Sequence, residues 1–113
     1  MCNESKLNEI KQHVRKASEE VLGDKLDKVI LYGSYARGDN DDGSDIDFLI
    51  LADISPETAW GERMKISALT GWIDLEYDVL VSLHVTCCEN FYKYSNHLPF
   101  YINVLKEGVV VNV

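Results

Sequence analysis

Apolar residues near the start of the chain recur at the spacing of a helix. Charged residues separate five apolar positions, Leu7, Ile10, Val14, Ala17 and Val21. Side chains three or four positions apart fall on one helical face, so the pattern predicts an amphipathic helix that packs through that face. Ser5 can cap its start and Gly23 can end it.

Three apolar runs farther along the chain have the length and composition of strands. Residues 28–32 stop at a glycine, residues 47–51 follow a polar loop, and residues 79–85 are apolar at nearly every position. An unbroken apolar run predicts a strand that is covered on both faces. The three runs therefore predict the centre of a small sheet.

A helix is predicted between the second and third strands. Residues 55–57, Ser-Pro-Glu, are typical of a helix start, and we expect the helix to run to about Glu76. Gly71 weakens it and leaves its limits open. Trp60 and Trp72 are expected in the core, with a partner-binding surface as the alternative.

The last part of the chain predicts two short helices and a β-forming end. Residues 86–89 match a capping box that starts a helix through Tyr94, and Pro99 begins another that stops at Gly108. Residues 109–113 predict an exposed apolar β-former unless an oligomer covers it. Five aromatic residues here are expected to pack, with a partner-binding patch as the alternative: Phe91, Tyr92, Tyr94, Phe100 and Tyr101.

These elements together predict an α/β (α+β) fold. We expect a small mixed sheet of three or four strands with helices packed on one face. The chain has 113 residues, of which 46% are hydrophobic and 27% charged. This is enough for one domain, residues 1–113, with one core.

Two carboxylates stand where the second strand begins. Successive strand residues alternate faces, so Asp45 and Asp47 are expected on one side while Ile46 and Phe48 turn into the core. Carboxylate oxygens suit a hard cation such as Mg²⁺, which completes its coordination with substrate phosphates. The pair predicts a metal site in an open cleft at one edge of the sheet.

The end of the first strand predicts a phosphate-binding turn. Gly33 lets the backbone approach a ligand, and Ser34 offers a hydroxyl and an amide at the start of a short helical turn. Arg37 can bind a phosphate through its guanidinium or pair with one of the acids.

The spacing of these residues resembles a known signature. Gly33-Ser34, ten residues, then Asp45 and Asp47 reproduce the Gly-Ser-x10-Asp-x-Asp pattern of the DNA polymerase β-like nucleotidyltransferase superfamily. The Ala-Arg-Gly at residues 36–38 and the tail at residues 98–108 are similar to its smallest members. These are the minimal nucleotidyltransferases, antitoxin-type partners of HEPN-domain proteins, and the resemblance covers nearly the whole chain.

The resemblance implies a role for each motif residue. Gly33 and Ser34 would hold the triphosphate, while Asp45 and Asp47 would bind two Mg²⁺ ions around the reacting phosphate. A third carboxylate is expected from a neighbouring strand. Asp78 fits best because it begins the next β-like run, and Asp74 and Glu76 are the reserves.

The implied reaction is transfer of AMP from ATP to a hydroxyl, in the antitoxin members a tyrosine of the HEPN-domain partner. The alternative is a non-catalytic subunit that binds nucleotide or masks the toxin, which the loss of the third carboxylate would favour. Transfer to a small molecule such as an aminoglycoside is the weakest option, because it needs a second domain or a dimer to build the acceptor pocket.

Charge and cysteine content limit the partners. A net charge of −8 disfavours nucleic acid, whose binding needs clustered Lys and Arg. The odd count of three cysteines predicts free thiols and a cytoplasmic protein, and no segment predicts a membrane span. His13, His84 and His97 are expected to be surface or packing residues. A homo-oligomer stays open.

Overall fold

The computed structural model describes residues 3–41 and 43–111. Within those ranges, six helices and four strands follow one another along the chain. They are α1 (Glu4–Leu22), β1 (Leu26–Tyr32), α2 (Ser34–Arg37), β2 (Ile46–Ala52), α3 (Ala59–Thr70), α4 (Trp72–Tyr77), β3 (Val81–Cys87), α5 (Cys88–Tyr94), α6 (Pro99–Glu107) and β4 (Val109–Val110).

The four strands form one mixed sheet in the order β3-β2-β1-β4. β2 pairs antiparallel with β1 and parallel with β3, while β4 adds antiparallel to the outer side of β1. The predicted α/β class with a small mixed sheet is confirmed. Because β2 is central, the residues at its start have a neighbouring strand on each side.

Helices cover both faces of the sheet, where one face was expected. Val29, Phe48 and Ile50 pack in the core with residues of α1 and α3. Ile30 and Leu49 point to the opposite face and pack with the short helices α5 and α6. The second layer forms because the central strands are apolar on both faces, and an uncovered apolar face would be exposed to water.

Two predicted caps are corrected. Asn3 rather than Ser5 caps α1, because its side chain accepts the Lys6 amide hydrogen bond at 2.8 Å. The predicted capping box at residues 86–89 does not form. β3 continues in register with β2 through Cys87, so Thr86 is a strand residue and α5 begins at Cys88 without a side-chain cap.

The helix predicted from residue 55 to about residue 76 is divided at Gly71. A short 3₁₀ turn, Pro56–Thr58, precedes α3, and α4 follows the glycine. Neither tryptophan lies in the core: Trp60 is 66% exposed and Trp72 is 45% exposed. The prediction that they are core residues was therefore wrong, since α3 and α4 place these side chains at the outer surface.

The backbone of the apolar end of the chain joins the chain's own sheet, while the side chains of Val109 and Val110 stay exposed. β4 pairs with β1, and the amide of Val111 donates to the carbonyl of Val29 at 2.8 Å. The Val111 side chain is buried, whereas residues 112–113 of the predicted segment lie outside the described residues.

Cys87 and Cys88 are free thiols, while Cys2 is not among the described positions. In residues 3–41 and 43–111, no helix has both the length and the apolar character needed to span a membrane.

Gly108 connects α6 to β4 at a point with no room for a side chain. A Cβ there would overlap the carbonyl oxygen of Val104 and the side chain of Ile30. We expect Gly108→Ala to lower the free energy of unfolding by about 1–3 kcal/mol, as overpacked substitutions do. Denaturant unfolding of the purified protein measures the change.

Gly61 provides the matched control for this substitution. It lies on the exposed side of α3, where an added Cβ meets nothing within 4 Å. Gly61→Ala should raise the free energy of unfolding by about 0.5–1 kcal/mol, because alanine favours the helix. Equal effects of the two substitutions would contradict the packing described for Gly108.

Candidate functional site

The turn after β1 brings the backbone against a carboxylate of β2. Gly33 has φ +78°, and the amides of Ala36 and Arg37 both donate to its carbonyl at 3.1 Å. A Cβ at Gly33 would lie 2.7 Å from Oδ2 of Asp47. The positive φ favours glycine, and a side chain here would also displace the Asp47 carboxylate. The Gly-Ser turn and the second aspartate of the motif are therefore parts of one site.

The structure brings Asp45 and Asp47 together. Asp45 is exposed just before β2, and Asp47 is partly buried within it, while Ile46 and Phe48 are fully buried on the other face. Burial is the main cause that raises the pKa of Asp47 above its ordinary value. The charge of Asp45 raises it further, and His84 opposes both. The two carboxylates are thus close enough to repel each other.

Strand β3 adds polar side chains that sequence reasoning did not assign to the site. In the parallel ladder Ser82 lies opposite Asp47, and His84 is the next residue on the same face. His84 was expected to be a surface or packing residue; it is exposed, and it acts electrostatically on Asp47. The signal in the sequence was the alternation within β3, where the polar residues Ser82 and His84 are two positions apart.

Aromatic rings line one side of the site. The centroid of Tyr32 lies 5.4 Å from that of Phe100 and 6.4 Å from that of His84. Tyr32 stands directly opposite Asp47 in the β1–β2 ladder. Burial, assisted by the charge of Asp47, raises the pKa of Tyr32 to about 12. Its phenol is therefore protonated at neutral pH and is a hydrogen-bond donor there.

The structure does not bring Asp78 to the aspartate pair. Asp78 is exposed, has φ +53° and caps the end of α4, three residues before β3 begins. Of the reserve acids, Asp74 accepts the amide hydrogen bond of Val81 at 3.1 Å, and Glu76 is exposed on α4. Across the described residues, no three His, Cys, Asp or Glu side chains are grouped to hold a metal. The geometry does not support the role expected for Asp78.

Arg37 joins the loop after α2 to helix α6. Its guanidinium pairs with Asp39 at 3.1 Å and with Glu107 at 3.0 Å. From the sequence, Arg37 was expected either to bind a phosphate or to pair with one of the acids of the site. The partners it has here are neither Asp45 nor Asp47.

The donor set suits a hard divalent cation. Two carboxylates that repel each other across a partly buried face gain from a cation between them, and oxygen-only ligands favour Mg²⁺ over softer metals. Two protein carboxylates are enough for a magnesium ion that takes its remaining ligands from water and phosphates. Asp45 and Asp47 therefore fit one such ion.

Comparisons with known proteins give relatives in both sequence and structure. A family model described as nucleotidyltransferase domain matches residues 7–111. Two proposed protein adenylyltransferases of Methanocaldococcus jannaschii are similar in sequence. One is 46% identical over 74 residues, covering 66% of this chain and 73% of the relative. The other is 37% identical over 102 residues, covering 90% of this chain and 93% of the relative.

Two solved structures share the fold. A toxin–antitoxin complex with AMP-PNP has a TM-score of 0.55 at 20% identity, covering 90% of this chain and 72% of that one. A mutant MntA toxin–antitoxin complex has a TM-score of 0.52 at 17% identity, covering 90% and 71%. At these identities the likeness shows the fold alone. The family match over residues 7–111 confirms the resemblance seen in the motif, and the chain belongs to the nucleotidyltransferase domain family.

Proposed function

We propose that this chain transfers AMP from ATP to a hydroxyl of a partner protein, with pyrophosphate as the leaving group. The observation that carries the proposal is the close approach of Gly33 to the carboxylate of Asp47, which joins the phosphate-binding turn to the aspartate pair. The names of the sequence relatives, protein adenylyltransferases, support AMP as the transferred group. One structural relative contains AMP-PNP, an ATP analogue, which supports the same nucleotide.

Each residue of the motif has a role in this reaction. Gly33 and Ser34 bind the β- and γ-phosphates, through the open backbone of the turn and the Ser34 hydroxyl. Asp45 and Asp47 would hold Mg²⁺, which would neutralise charge at the reacting phosphate. The protein's contribution is to hold Asp47 against the turn with Asp45 nearby, so that a triphosphate bound at the turn would lie beside both carboxylates.

The order of the strands gives the direction from which the acceptor arrives. The phosphate-binding turn follows β1, Asp47 is on β2, and β3 lies on the far side of β2. In-line displacement places the attacking hydroxyl opposite the leaving pyrophosphate, which is the β3 side. His84 is exposed on that side and is a suitable acceptor for the proton of the hydroxyl.

The acceptor we propose is a tyrosine of a HEPN-domain toxin, with this chain as its antitoxin. The structural relatives are toxin–antitoxin complexes, which supports a partner of that kind. The net charge of −8 disfavours a nucleic-acid acceptor. The acids of the site are on an open surface, and a protein side chain can reach it.

A second candidate function is a subunit that binds nucleotide or masks the toxin without turnover. The observation that favours it is the position of Asp78, which does not complete a group of three acids with Asp45 and Asp47. The two candidates differ in whether the aspartate pair is needed for more than binding.

Loss of both aspartates should abolish transfer. The assay incubates the HEPN-domain partner with radioactive ATP and Mg²⁺. We expect Asp45→Asn/Asp47→Asn to label the partner at least about 10³-fold more slowly than wild type does. The reason is that metal binding stabilises the transition state by several kcal/mol. Parallel reactions with GTP, CTP and UTP should give less label. Asp78→Asn is the matched control and should label at the wild-type rate. If neither wild type nor the double variant labels the partner, and the double variant still binds it, the result would contradict the transfer reaction. It would favour the masking subunit instead.

Replacing the histidine of β3 should slow the chemical step. His84→Gln keeps a polar side chain that cannot accept a proton, so we expect kcat to fall about 10²-fold while KM for ATP is unchanged. Steady-state kinetics with partner and ATP measure both constants. His97→Gln, at an exposed position before α6, is the control. Equal kcat in the two variants would remove His84 from the mechanism.

Asp47→Asn should stabilise the metal-free protein. Burial and Asp45 disfavour the charged carboxylate, so in EDTA at pH 7 we expect the free energy of unfolding to rise by up to about 1 kcal/mol, limited by partial solvation. The gain is fully present above the folded-state pKa of Asp47. It declines as the pH falls through the folded-state pKa and is absent below the unfolded value of about 3.9, since both states are then protonated. Denaturant unfolding at pH 7 and pH 3 measures it.

Magnesium should stabilise wild type much more than Asp47→Asn. Mg²⁺ that binds the folded pair stabilises wild type by mass action and has little effect on Asp47→Asn. Repeating the pH 7 unfolding with Mg²⁺ in place of EDTA tests this. A variant that is less stable than wild type in EDTA, or that gains as much from Mg²⁺, would contradict the arrangement described here.

A further inference from the structure

A cleft of about 230 Å³ lies beside the phosphate-binding turn, between the end of β1 and helix α6. Seven residues line it, Tyr32, Gly33, Arg37, Phe100, Asn103, Val104 and Glu107. Its floor is apolar because Val104 is buried. A small concave site with an apolar floor and a few polar groups at its walls is the usual form of a small-molecule pocket.

The walls of this cleft suit a flat heterocycle. Phe100 is 44% exposed, so much of its ring is available to a ligand. Asn103 is exposed on α6, and its side chain makes no hydrogen bond with any described residue. An aromatic ring gives a stacking surface, and a free amide can donate and accept at once.

The charges of the cleft disfavour a second phosphate there. Arg37 is the cationic residue of the lining, and its guanidinium is already paired with Glu107 at 3.0 Å and with Asp39 at 3.1 Å. The wall near α6 is therefore close to neutral or acidic. A neutral group fits it better than an anion does.

We propose that the cleft between β1 and α6 binds the adenine base of the nucleotide, with Phe100 against the ring and Asn103 hydrogen-bonded to its edge. The inference rests on the proposed function, which places the triphosphate at Gly33 and Ser34. Gly33 belongs both to that turn and to the lining of the cleft. A nucleotide held by its phosphates at the turn thus has this cleft next to it.

Under this proposal, Asn103 gives the cleft a preference for adenine over guanine. The amide of asparagine can donate to N7 of adenine and accept from its N6 amino group. Guanine presents two acceptors at the equivalent positions, N7 and O6, and one amide cannot satisfy both with the same pair of bonds. The cleft therefore selects the base, whereas the aspartate pair acts on the phosphates, which all nucleoside triphosphates share.

Calorimetric titration in Mg²⁺ tests the proposal with three probes: AMP-PNP, the corresponding GTP analogue, and inorganic tripolyphosphate. Wild type should bind AMP-PNP more tightly than the GTP analogue. Asn103→Leu and Phe100→Leu should each weaken AMP-PNP binding about tenfold, as expected for one bidentate pair or one stacked ring. Tripolyphosphate has no base, so both variants should bind it as wild type does. Asn96→Leu, at an exposed position before α6, is the control and should bind all three probes normally.

Several results would overturn the inference. Unchanged AMP-PNP binding in both α6 variants would remove the base from the cleft. If those variants also lost transfer to the partner, the cleft would hold the acceptor side chain instead. Equal loss of tripolyphosphate binding would show a defect of the phosphate turn or of the fold. Failure of wild type to bind any of the three probes would overturn the proposed function together with this inference.

Discussion

The site depends on how closely the turn after β1 approaches the start of β2. Glycine is favoured at position 33 by its φ of +78°, and a Cβ there would also lie 2.7 Å from Oδ2 of Asp47 and displace that carboxylate. The approach is fixed by the antiparallel ladder that sets Tyr32 opposite Asp47. β2 is packed on both faces, which holds that ladder in place. The buried part of β2 therefore fixes the position of Asp47, which is itself partly exposed to solvent. The phosphate-binding turn and the candidate metal ligands therefore share one rigid support.

The same arrangement is costly for the free protein. Asp47 has its pKa raised by burial and by Asp45, which means that the folded chain holds a charge in an unfavourable place. Such strain is typical of sites that are completed by a cation and an anionic substrate. The histidine of β3 offsets part of it. Electrostatics of this kind favour ligand binding over stability.

The strands divide the site between its ligands. β1 ends at the turn proposed for the phosphates, β2 carries the aspartate pair, and β3 presents Ser82 and His84 towards the proposed acceptor. Helix α6 adds a cleft beside the turn, with Phe100 and Asn103 in its walls. The proposed surfaces for phosphates, base and acceptor thus adjoin one another on these strands and α6.

The sequence by itself determined the class of fold, the helix that opens the chain and the Gly-Ser and Asp-x-Asp motif, because periodicity, glycine and short-range spacing act locally. The sequence predicted Asp78 beside the aspartate pair and His84 outside the site. The positions of these two residues depend on the pairing of strands that are far apart in the sequence. Only the tertiary structure decided them: the register of β3 on β2 sets Ser82 opposite Asp47, while Asp78 ends α4 before that register begins. The apolar runs of the central strands indicated that both faces would be covered, but packing between distant segments decided that α5 and α6 cover the second face.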